Sequence, residues 1–387
     1  MAERFSGQTG VIPYTSALQR KAWLREGLVP IMEQTFWASF IGNSKSAAIY
    51  QKNNFGAGNG NNIIFDFDGF LSNEGMRGKE QARGKGETKK KFSNSLTIER
   101  GRYVAHNGDE FDLENINAID LAQHGDSRTK LAALWAKNKD QRIFDIAQGF
   151  ADGKGPTHVW RPNNRANMVD LTAGDEFTYE SLLEIELACR TGKGFSQGRD
   201  RLPLLPVGSN RGGRYTMVID AYMEAQLRSD SDWQNIMMHA DVRGQKNRLI
   251  QGYIGSIGLL DIVTAGSFFG SSSSNKQYKT STVMSGMRSL ASDGKFQGEA
   301  GFDLAANKQV SRALVLGQSA MQLASGKHAD FKLKESEDFD IDSESAIIVH
   351  SNGQRTSLKA ETEDYQNEAQ IGGIDFGMFN CDFYIKG

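Results

Sequence analysis

The chain has 387 residues, enough for two lobes around a sizeable core, and its 42 glycines against 6 prolines favour a loop-rich protein that contains strands. With 45 Lys and Arg against 47 Asp and Glu, the net charge is −2, which excludes a global field that recruits nucleic acid or a membrane surface. The two cysteines exclude a disulfide framework, and no apolar run approaches the roughly 20 residues of a membrane span, so we expect a soluble protein made in a reducing compartment, with no membrane partner.

The first 59 residues divide into an arm and a helical segment. Positions 1–15 are polar and aperiodic, which predicts an extended arm. From Ser16 to Ile41 apolar residues recur mostly at spacings of three to five, the pattern of an amphipathic helix, and Pro30 should break or kink it. The Gly- and Asn-rich stretch 54–62 is turn chemistry that leads into the next strand.

A two-stranded finger is predicted next. The stretch NIIFDFDGFL (62–71) alternates its residues as a strand does, and FSNSLTIERGRYV (92–104) resumes strand composition. Between them, residues 72–91 contain four glycines and no large apolar side chain except Met76, so this tip has nothing to bury. A structureless tip of about 20 residues is uncommon in a compact domain and is usually functional or disordered. Three tip residues are acidic and seven are basic, namely Arg77, Lys79, Arg83, Lys85, Lys89, Lys90 and Lys91.

Helices and strands are mixed in the rest of the chain. Asp126 or Ser127 is the predicted cap of a long helix that ends at Gly149. The run 311–324 predicts a strand that continues into a helix, and an acidic segment with seven carboxylates lies between positions 330 and 344. The other predicted elements are a helix over 180–189 that stops near Gly192, a strand over 215–219, a short helix over 222–227, a buried strand run over 253–265, a loop over 266–274 and a closing strand over 374–385.

The letters DFDG (66–69) also fit the catalytic strand of haloacid-dehalogenase-like, Mg-dependent phosphatases. In such an enzyme Asp66 would attack phosphorus and Asp68 would work as the acid/base. Against this alternative, Phe70 stands where the phosphatases have Thr or Val. The acidic motif 106–112 follows after only about 40 residues, with the basic tip between, which leaves no room for a doubly wound sheet. The simpler hypothesis is a hairpin strand whose aspartates face solvent.

Other chemical motifs are weaker. The chain contains no GxxxxGK[ST] loop, and its six histidines are scattered without metal-ligand spacing, so no cofactor or metal is predicted. The stretch SDSDW (229–233) begins like a calcium loop but lacks the later ligands, which favours a helix cap or turn. Nucleic acid is a possible ligand of the basic tip, although the tip has no aromatic residue for stacking. An acidic protein surface fits at least as well, and the segment 330–344 of another copy is one.

Seven short segments follow one another along the chain: KAWLR (21–25), NSLTIE (94–99), DWQ (232–234), ADVRG (240–244), GYIG (252–255), LGQSA (316–320) and the closing strand 377–384. The order of arm, amphipathic helix, finger, long helix, mixed lobe and late strand is similar to that of tailed-phage major capsid proteins of the Hong Kong 97 fold. The closer resemblance is to the enquatrovirus-type (N-four-like) major capsid family, and it covers most of the chain from about residue 17. The seven segments, in this order, carry the resemblance.

The resemblance implies an α+β fold of the Hong Kong 97 type and a division of the chain into domains. The long helix would be the spine of the P-domain, and the finger would be the extended E-loop. The implied parts are an N-terminal arm (1–15), the first part of the P-domain (16–59), the E-loop (60–104), the P-domain with its spine helix (105–199), the A-domain (200–330), and an acidic segment with a C-terminal strand that returns to the body (331–387).

The same resemblance implies a structural protein without an active site or cofactor. Its hexamers and pentamers would tile an icosahedral head around double-stranded DNA, first in the host cytoplasm and then in the virion. The implied partners are other copies of the chain, the portal, scaffolding or decoration proteins, and packaged DNA bound non-specifically. The E-loop residues expected to contact a neighbouring copy are Asp66, Asp68, Arg77, Lys79, Arg83, Lys85, Lys89, Lys90 and Lys91.

Overall fold

The architecture comes from a computed structural model. It describes residues 36–53, 62–68, 78–81, 83–86, 91–98, 100–106, 120–149, 158–196, 201, 203–208, 213–240, 253–265, 288–291, 307–335, 343–355, 359–360 and 377–386. The predicted arm 1–15, most of the predicted amphipathic helix and the predicted loop 266–274 lie outside these residues. Of that helix, the described part is a 3₁₀ turn, Phe36–Phe40.

Four α-helices occur in the described part of the chain, and their ends follow local capping rules. Helix α2 begins where the Thr178 hydroxyl accepts a hydrogen bond from the Ser181 amide, and it ends at Gly192, whose φ of 70° is left-handed. This end is where the sequence predicts it. The helices are α1 (Asp120–Gln148), α2 (Tyr179–Thr191), α3 (Ala221–Ser229) and α4 (Ser231–Ala240).

The described strands form three sheets, so the predicted mixture of helix and sheet is confirmed. A five-stranded sheet has the order β1-β2-β12-β13-β5, a larger sheet has β6-β15-β11-β7-β9-β8 with β10 also paired to β11, and a small sheet has β14-β4-β3. The strands are β1 (Ile41–Gly42), β2 (Ile49–Asn53), β3 (Asn62–Asp68), β4 (Lys91–Thr97), β5 (Arg100–His106), β6 (Val159–Trp160), β7 (Tyr215–Ile219), β8 (Tyr253–Ile257), β9 (Leu260–Thr264), β10 (Arg288–Ala291), β11 (Asn307–Leu316), β12 (Met321–Glu335), β13 (Ser343–Arg355), β14 (Lys359–Ala360) and β15 (Met378–Ile385).

The seven-stranded sheet is buried on both faces. Along β11, Ala313 and Val315 belong to one apolar cluster and Leu314 and Leu316 to another, because successive side chains of a strand point to opposite faces. The first cluster includes the inward residues of α2 and α3, and the second includes those of the C-terminal part of α1 and of the 3₁₀ turn. This double burial explains why β11 and β15 have buried side chains in almost continuous runs.

Two predicted boundaries are wrong. Helix α1 begins at Asp120, six residues before the predicted cap at Asp126, although its end at Gly149 is as predicted. The run 311–324 does not pass from strand into helix, because β11 stops at Leu316 and β12 starts at Met321 after a tight turn. Helix-compatible residues in β12 are held extended by parallel pairing with β2 and antiparallel pairing with β13, which a local pattern does not reveal.

The predicted finger contains a hairpin of two strands, β3 and β4, but the second predicted strand does not stay in the finger over its whole length. Strands β3 and β4 pair antiparallel from Asn62↔Thr97 to Asp68↔Lys91, as the sequence predicts. The stretch 92–104, predicted as one strand, is instead divided between two strands. Strand β5 leaves the finger and pairs antiparallel with β13. The finger therefore continues directly into the five-stranded sheet.

The acidic segment 330–344 includes the ends of a long hairpin. Strands β12 and β13 pair antiparallel until Glu335↔Ser343, and Lys334 lies opposite Glu344 in this register. The sequence alone places these carboxylates in an acidic stretch without assigning strands to it. In the structure, the described ends of this segment belong to the paired strands β12 and β13.

The C-terminal end of α1 is fixed to the large sheet by buried polar groups. Arg312 of β11 and Asp382 of β15 are register partners, and the Arg312 guanidinium donates two hydrogen bonds to the carboxylate at 2.6 and 3.1 Å. Arg161 donates a third at 2.9 Å. Arg312 also donates to the Gln148 carbonyl at 2.9 Å, and the Asn380 amide donates to that carbonyl at 3.3 Å. These donors satisfy a carbonyl that the helix end leaves unpaired.

The 3₁₀ turn is attached to the middle of α1 through Asp140. This carboxylate accepts the Phe36 amide at 2.7 Å and the Trp37 amide at 3.5 Å, and the Trp37 indole donates to the Asp140 carbonyl at 3.2 Å. Burial raises the pKa of Asp140 to about 6, although the two amides and Lys139 oppose the shift. The 3₁₀ turn is therefore held in place by a buried carboxylate, that of Asp140, which is costly to ionise.

We expect the free energy of unfolding to depend on pH through Asp140. A raised pKa means that the folded protein binds more protons than the unfolded chain between about pH 4 and 6. Stability should fall as pH rises through this window, by on the order of 3 kcal/mol, and then level off. Urea unfolding of wild type and Asp140→Asn at several pH values checks this, since the asparagine keeps an acceptor but cannot ionise. A wild-type minus variant difference that is constant with pH would contradict the assignment.

Candidate assembly interface at the hairpin of strands β3 and β4

The hairpin of β3 and β4 has one buried and one exposed face. Ile63 and Phe65 are buried in a small apolar cluster with Leu96 of β4 and Tyr50 of β2. Between them, Ile64 points to the other side and is 60% exposed, and Asp66 is exposed too. The predicted alternation is confirmed over these four positions of β3.

Lysines of the body hold the root of the hairpin. The Lys52 ammonium donates to the Ile64 carbonyl at 2.8 Å and to the Asp66 carboxylate at 3.3 Å. It also lies 5.1 Å from the centre of the Phe65 ring, a cation–π distance. Lys45 approaches the other carboxylate oxygen of Asp66 at 3.7 Å. The hydrogen bond from Lys52 is the main reason that the pKa of Asp66 lies below its usual value. The hairpin root is thus positioned by its own chain.

We expect Lys52→Met to loosen β3 without unfolding the protein. Methionine keeps the apolar stem but loses the bonds to Ile64 and Asp66, which should cost about 1 kcal/mol and speed local amide exchange of residues 62–68 about fivefold. Hydrogen exchange followed by mass spectrometry measures this. Lys45→Met is the matched control, because Lys45 makes a longer contact with the same carboxylate. Equal effects of the two variants would show that Lys52 has no special role at the root.

The tip of the hairpin exposes positive charge. Lys79, Glu80, Arg83 and Lys85 are all exposed, and Lys85 forms an ion pair with Glu80 at 3.2 Å. Gly84 has a φ of 82°, which a residue with a side chain seldom adopts. The described part of the tip therefore presents a net positive surface that the hairpin carries beyond the paired strands.

The structure describes only some of the predicted contact residues. Asp68 and Lys91 are register partners at the last pair of the hairpin, but their side chains lie outside the described set, as do all of Arg77, Lys89 and Lys90. Lys45 and Lys52 were not among the predicted residues. No local pattern distinguishes them from other exposed lysines, because their role depends on β3 folding back over β2.

The phosphatase alternative finds no support in this geometry. A phosphatase nucleophile lies at the end of a parallel strand in a doubly wound sheet, whereas Asp66 is on the antiparallel strand β3. Its carboxylate forms ion pairs with two lysines, whereas a magnesium-dependent phosphatase would place further carboxylates beside it. Over the described ranges, no group of three or more His, Cys, Asp or Glu side chains could hold a metal ion.

Comparison with known proteins identifies the fold. No family model and no curated protein matches the chain. Among solved structures, it is similar to the capsid of Ralstonia phage GP4, with a TM-score of 0.67, 18% identity and 92% of each chain covered. The capsid of Helicobacter pylori bacteriophage KHP30 gives 0.64 with 14% identity and 91% of each chain covered. The cyanophage Pam1 capsid gives 0.65 with 9% identity, covering 92% of this chain and 93% of the other.

These likenesses define the class of fold. The chain has the fold of phage capsid proteins, over nearly its whole length, and this confirms the coarse prediction from the sequence. The finer assignment to the enquatrovirus-type family stays a prediction. In the part of the chain that the structure describes, no helix has the length and apolar character needed to cross a membrane.

Proposed function

We propose that the chain is the major capsid protein of a tailed phage. Its copies would assemble as hexamers and pentamers into an icosahedral head that encloses double-stranded DNA. The observation that supports this most is a capsid fold matched over about nine-tenths of both chains, with no large part of this chain left over for another activity. A net charge of −2 suits a shell that contains DNA without binding it tightly.

The hairpin is the E-loop in this proposal, and its charges contact a neighbouring copy. Asp66 is engaged with lysines of its own chain, so we assign it to the root of the loop. The exposed basic residues Lys79 and Arg83 are better placed to meet another subunit, whereas Lys85 is paired with Glu80 of its own chain. Each such ion pair would contribute about 1 kcal/mol or less, and strength would come from repetition around the shell.

The division into domains is part of the same proposal. Helix α1 would be the spine of the P-domain, and the implied A-domain spans 200–330. The seven-stranded sheet also uses β6 and β15, which lie outside that range in sequence. Portal, scaffolding or decoration proteins and non-specifically bound DNA are the further partners we propose. The protein would be located in the virion capsid after assembly in the host cytoplasm.

Expression of the full chain tests the proposed function. Electron microscopy and sedimentation of the purified protein should show regular closed particles or capsomers of five and six copies. Co-expression with the other head proteins of its phage covers the case in which closure needs a scaffold. A protein that stays monomeric under both conditions would contradict the proposal.

A further inference from the structure

Helix α2 has an apolar outer face that nothing in the described part of the chain covers. Its inner face supplies Leu182, Ile185 and Ala188 to the core of the large sheet. On the outer face, Leu183 and Leu187 are 43% and 61% exposed. They are four residues apart and therefore lie on successive turns of one side. Together the two leucines form an exposed apolar patch on this side of the helix.

The charges on this side are arranged symmetrically. Glu180 precedes the first leucine by three residues, and Arg190 follows the second by three. With 3.6 residues per turn, the four side chains fall in a stripe about 80° wide. Glu180 and Arg190, at the two ends, are exposed. Position 185 is the midpoint in sequence of the charged pair and also of the leucine pair. The stripe is thus symmetric in spacing and opposite in charge at its two ends.

The stripe of one copy is complementary to the same stripe of a second copy when the two helices are antiparallel. In an antiparallel pair of α2 helices, Leu183 of one copy meets Leu187 of the other, and Glu180 meets Arg190 at both ends. A two-fold contact requires this self-complementarity of one surface. A parallel pair would place like charges opposite each other.

The neighbouring Glu186 does not compete strongly for Arg190. Glu186 is turned inward, where its carboxylate accepts the Leu259 amide at 3.2 Å, so it holds the turn between β8 and β9. Its ion pair with Arg190 is long, at 4.0 Å, and Arg190 remains 61% exposed. No ion pair of Glu180 occurs among the described residues. The two charged ends of the stripe are therefore available.

We propose that α2 is the site of a two-fold contact with a second copy of this chain, through an antiparallel helix pair. This surface is separate from the hairpin. A single pair of three-turn helices buries less than the roughly 1,200 Å² of a stable interface. The contact is therefore weak by itself and acts between copies that other contacts already hold close.

Disulfide trapping tests the contact because it captures a weak pair. Full-length Leu183→Cys is mixed with a size-tagged Leu187→Cys chain under mild oxidation, and covalent dimers are measured by gel. The native thiols of Cys189 and Cys381 are fully buried, and burial raises the pKa of both, so neither should react. We expect the mixed dimer to form about fivefold faster than either dimer of identical chains.

Charge reversal in the same chains then tests the register. Glu180→Lys or Arg190→Glu turns both attractive pairs into repulsive ones and should slow trapping about fivefold or more, and the double reversal should restore it. Asp232→Lys and Lys193→Glu make the same changes of charge at exposed positions off the stripe and should have little effect. Equal trapping of mixed and identical pairs, or a double reversal no better than the single ones, would overturn the proposal. Shell formation is scored separately by microscopy, so failure of one proposal is distinguishable from failure of the other.

Discussion

Deletion of residues 73–90 should leave a folded, soluble protein that cannot form closed shells. The deletion spares both paired strands, since β3 ends at Asp68 and β4 begins at Lys91. It leaves Gly69 to Ser72 as a four-residue connection, a length that hairpins accommodate readily. The free energy of unfolding should change by less than about 1 kcal/mol, because the described part of the tip is exposed. Denaturant unfolding and electron microscopy together measure the two outcomes.

A second variant separates the length of the tip from its charge. Replacing Lys79, Arg83 and Lys85 with glutamine keeps the backbone and removes the described positive charge. If ion pairs with a neighbour dominate, this variant should assemble as poorly as the deletion. If backbone contacts dominate, it should form shells at a reduced yield. Closed shells of normal size from the deletion itself would refute the assignment of the hairpin as an assembly element.

Asp382→Ala should be among the most destabilising single substitutions in the described chain. The Asp382 side chain is fully buried and accepts hydrogen bonds from both Arg312 and Arg161. Its removal leaves the buried Arg312 guanidinium without a carboxylate, a change that typically costs about 3–5 kcal/mol. The loss should also free the end of α1, because Arg312 is the residue that connects Asp382 to the Gln148 carbonyl.

Two controls make this prediction specific. Arg161→Ala removes one arginine but leaves the paired Arg312 and Asp382 in place, so it should cost clearly less. Asp232→Ala removes an exposed carboxylate in the first turn of α4 and should cost less than about 1 kcal/mol. Urea unfolding of unassembled protein gives all three values. A cost below about 1 kcal/mol for Asp382→Ala would show that the buried pair contributes little.

The outer face of α2 and the tip of the hairpin represent two kinds of contact. The tip is polar and charged, and in our proposal it contacts a neighbouring copy through ion pairs. The α2 stripe is short and apolar, and its symmetry determines which surface of the second copy it fits. A shell that uses both would be held by ion pairs at the tip and by a contact of defined geometry at α2. Shell formation tests the first contact, and disulfide trapping tests the second.

The sequence by itself determined those features that depend on residues close to one another in the chain. The alternation from Ile64 to Asp68 predicted a strand whose aspartates face solvent, and the structure has it over Ile64, Phe65 and Asp66, because a strand shows alternate residues to opposite faces. The end of α2 at Gly192 was predictable in the same way, since helix caps depend on a few adjacent residues.

Only the tertiary structure decided which segments meet. Met321 of β12 is extended because it pairs with Ile49, far away in sequence, and neither segment's local pattern reveals the other. The bonds from Lys52 to β3 and from Arg312 to the end of α1 likewise depend on pairings between distant strands. Local preferences amount to a fraction of a kcal/mol per residue, whereas burial and pairing of a whole strand amount to several, so the long-range partners prevail where the two disagree.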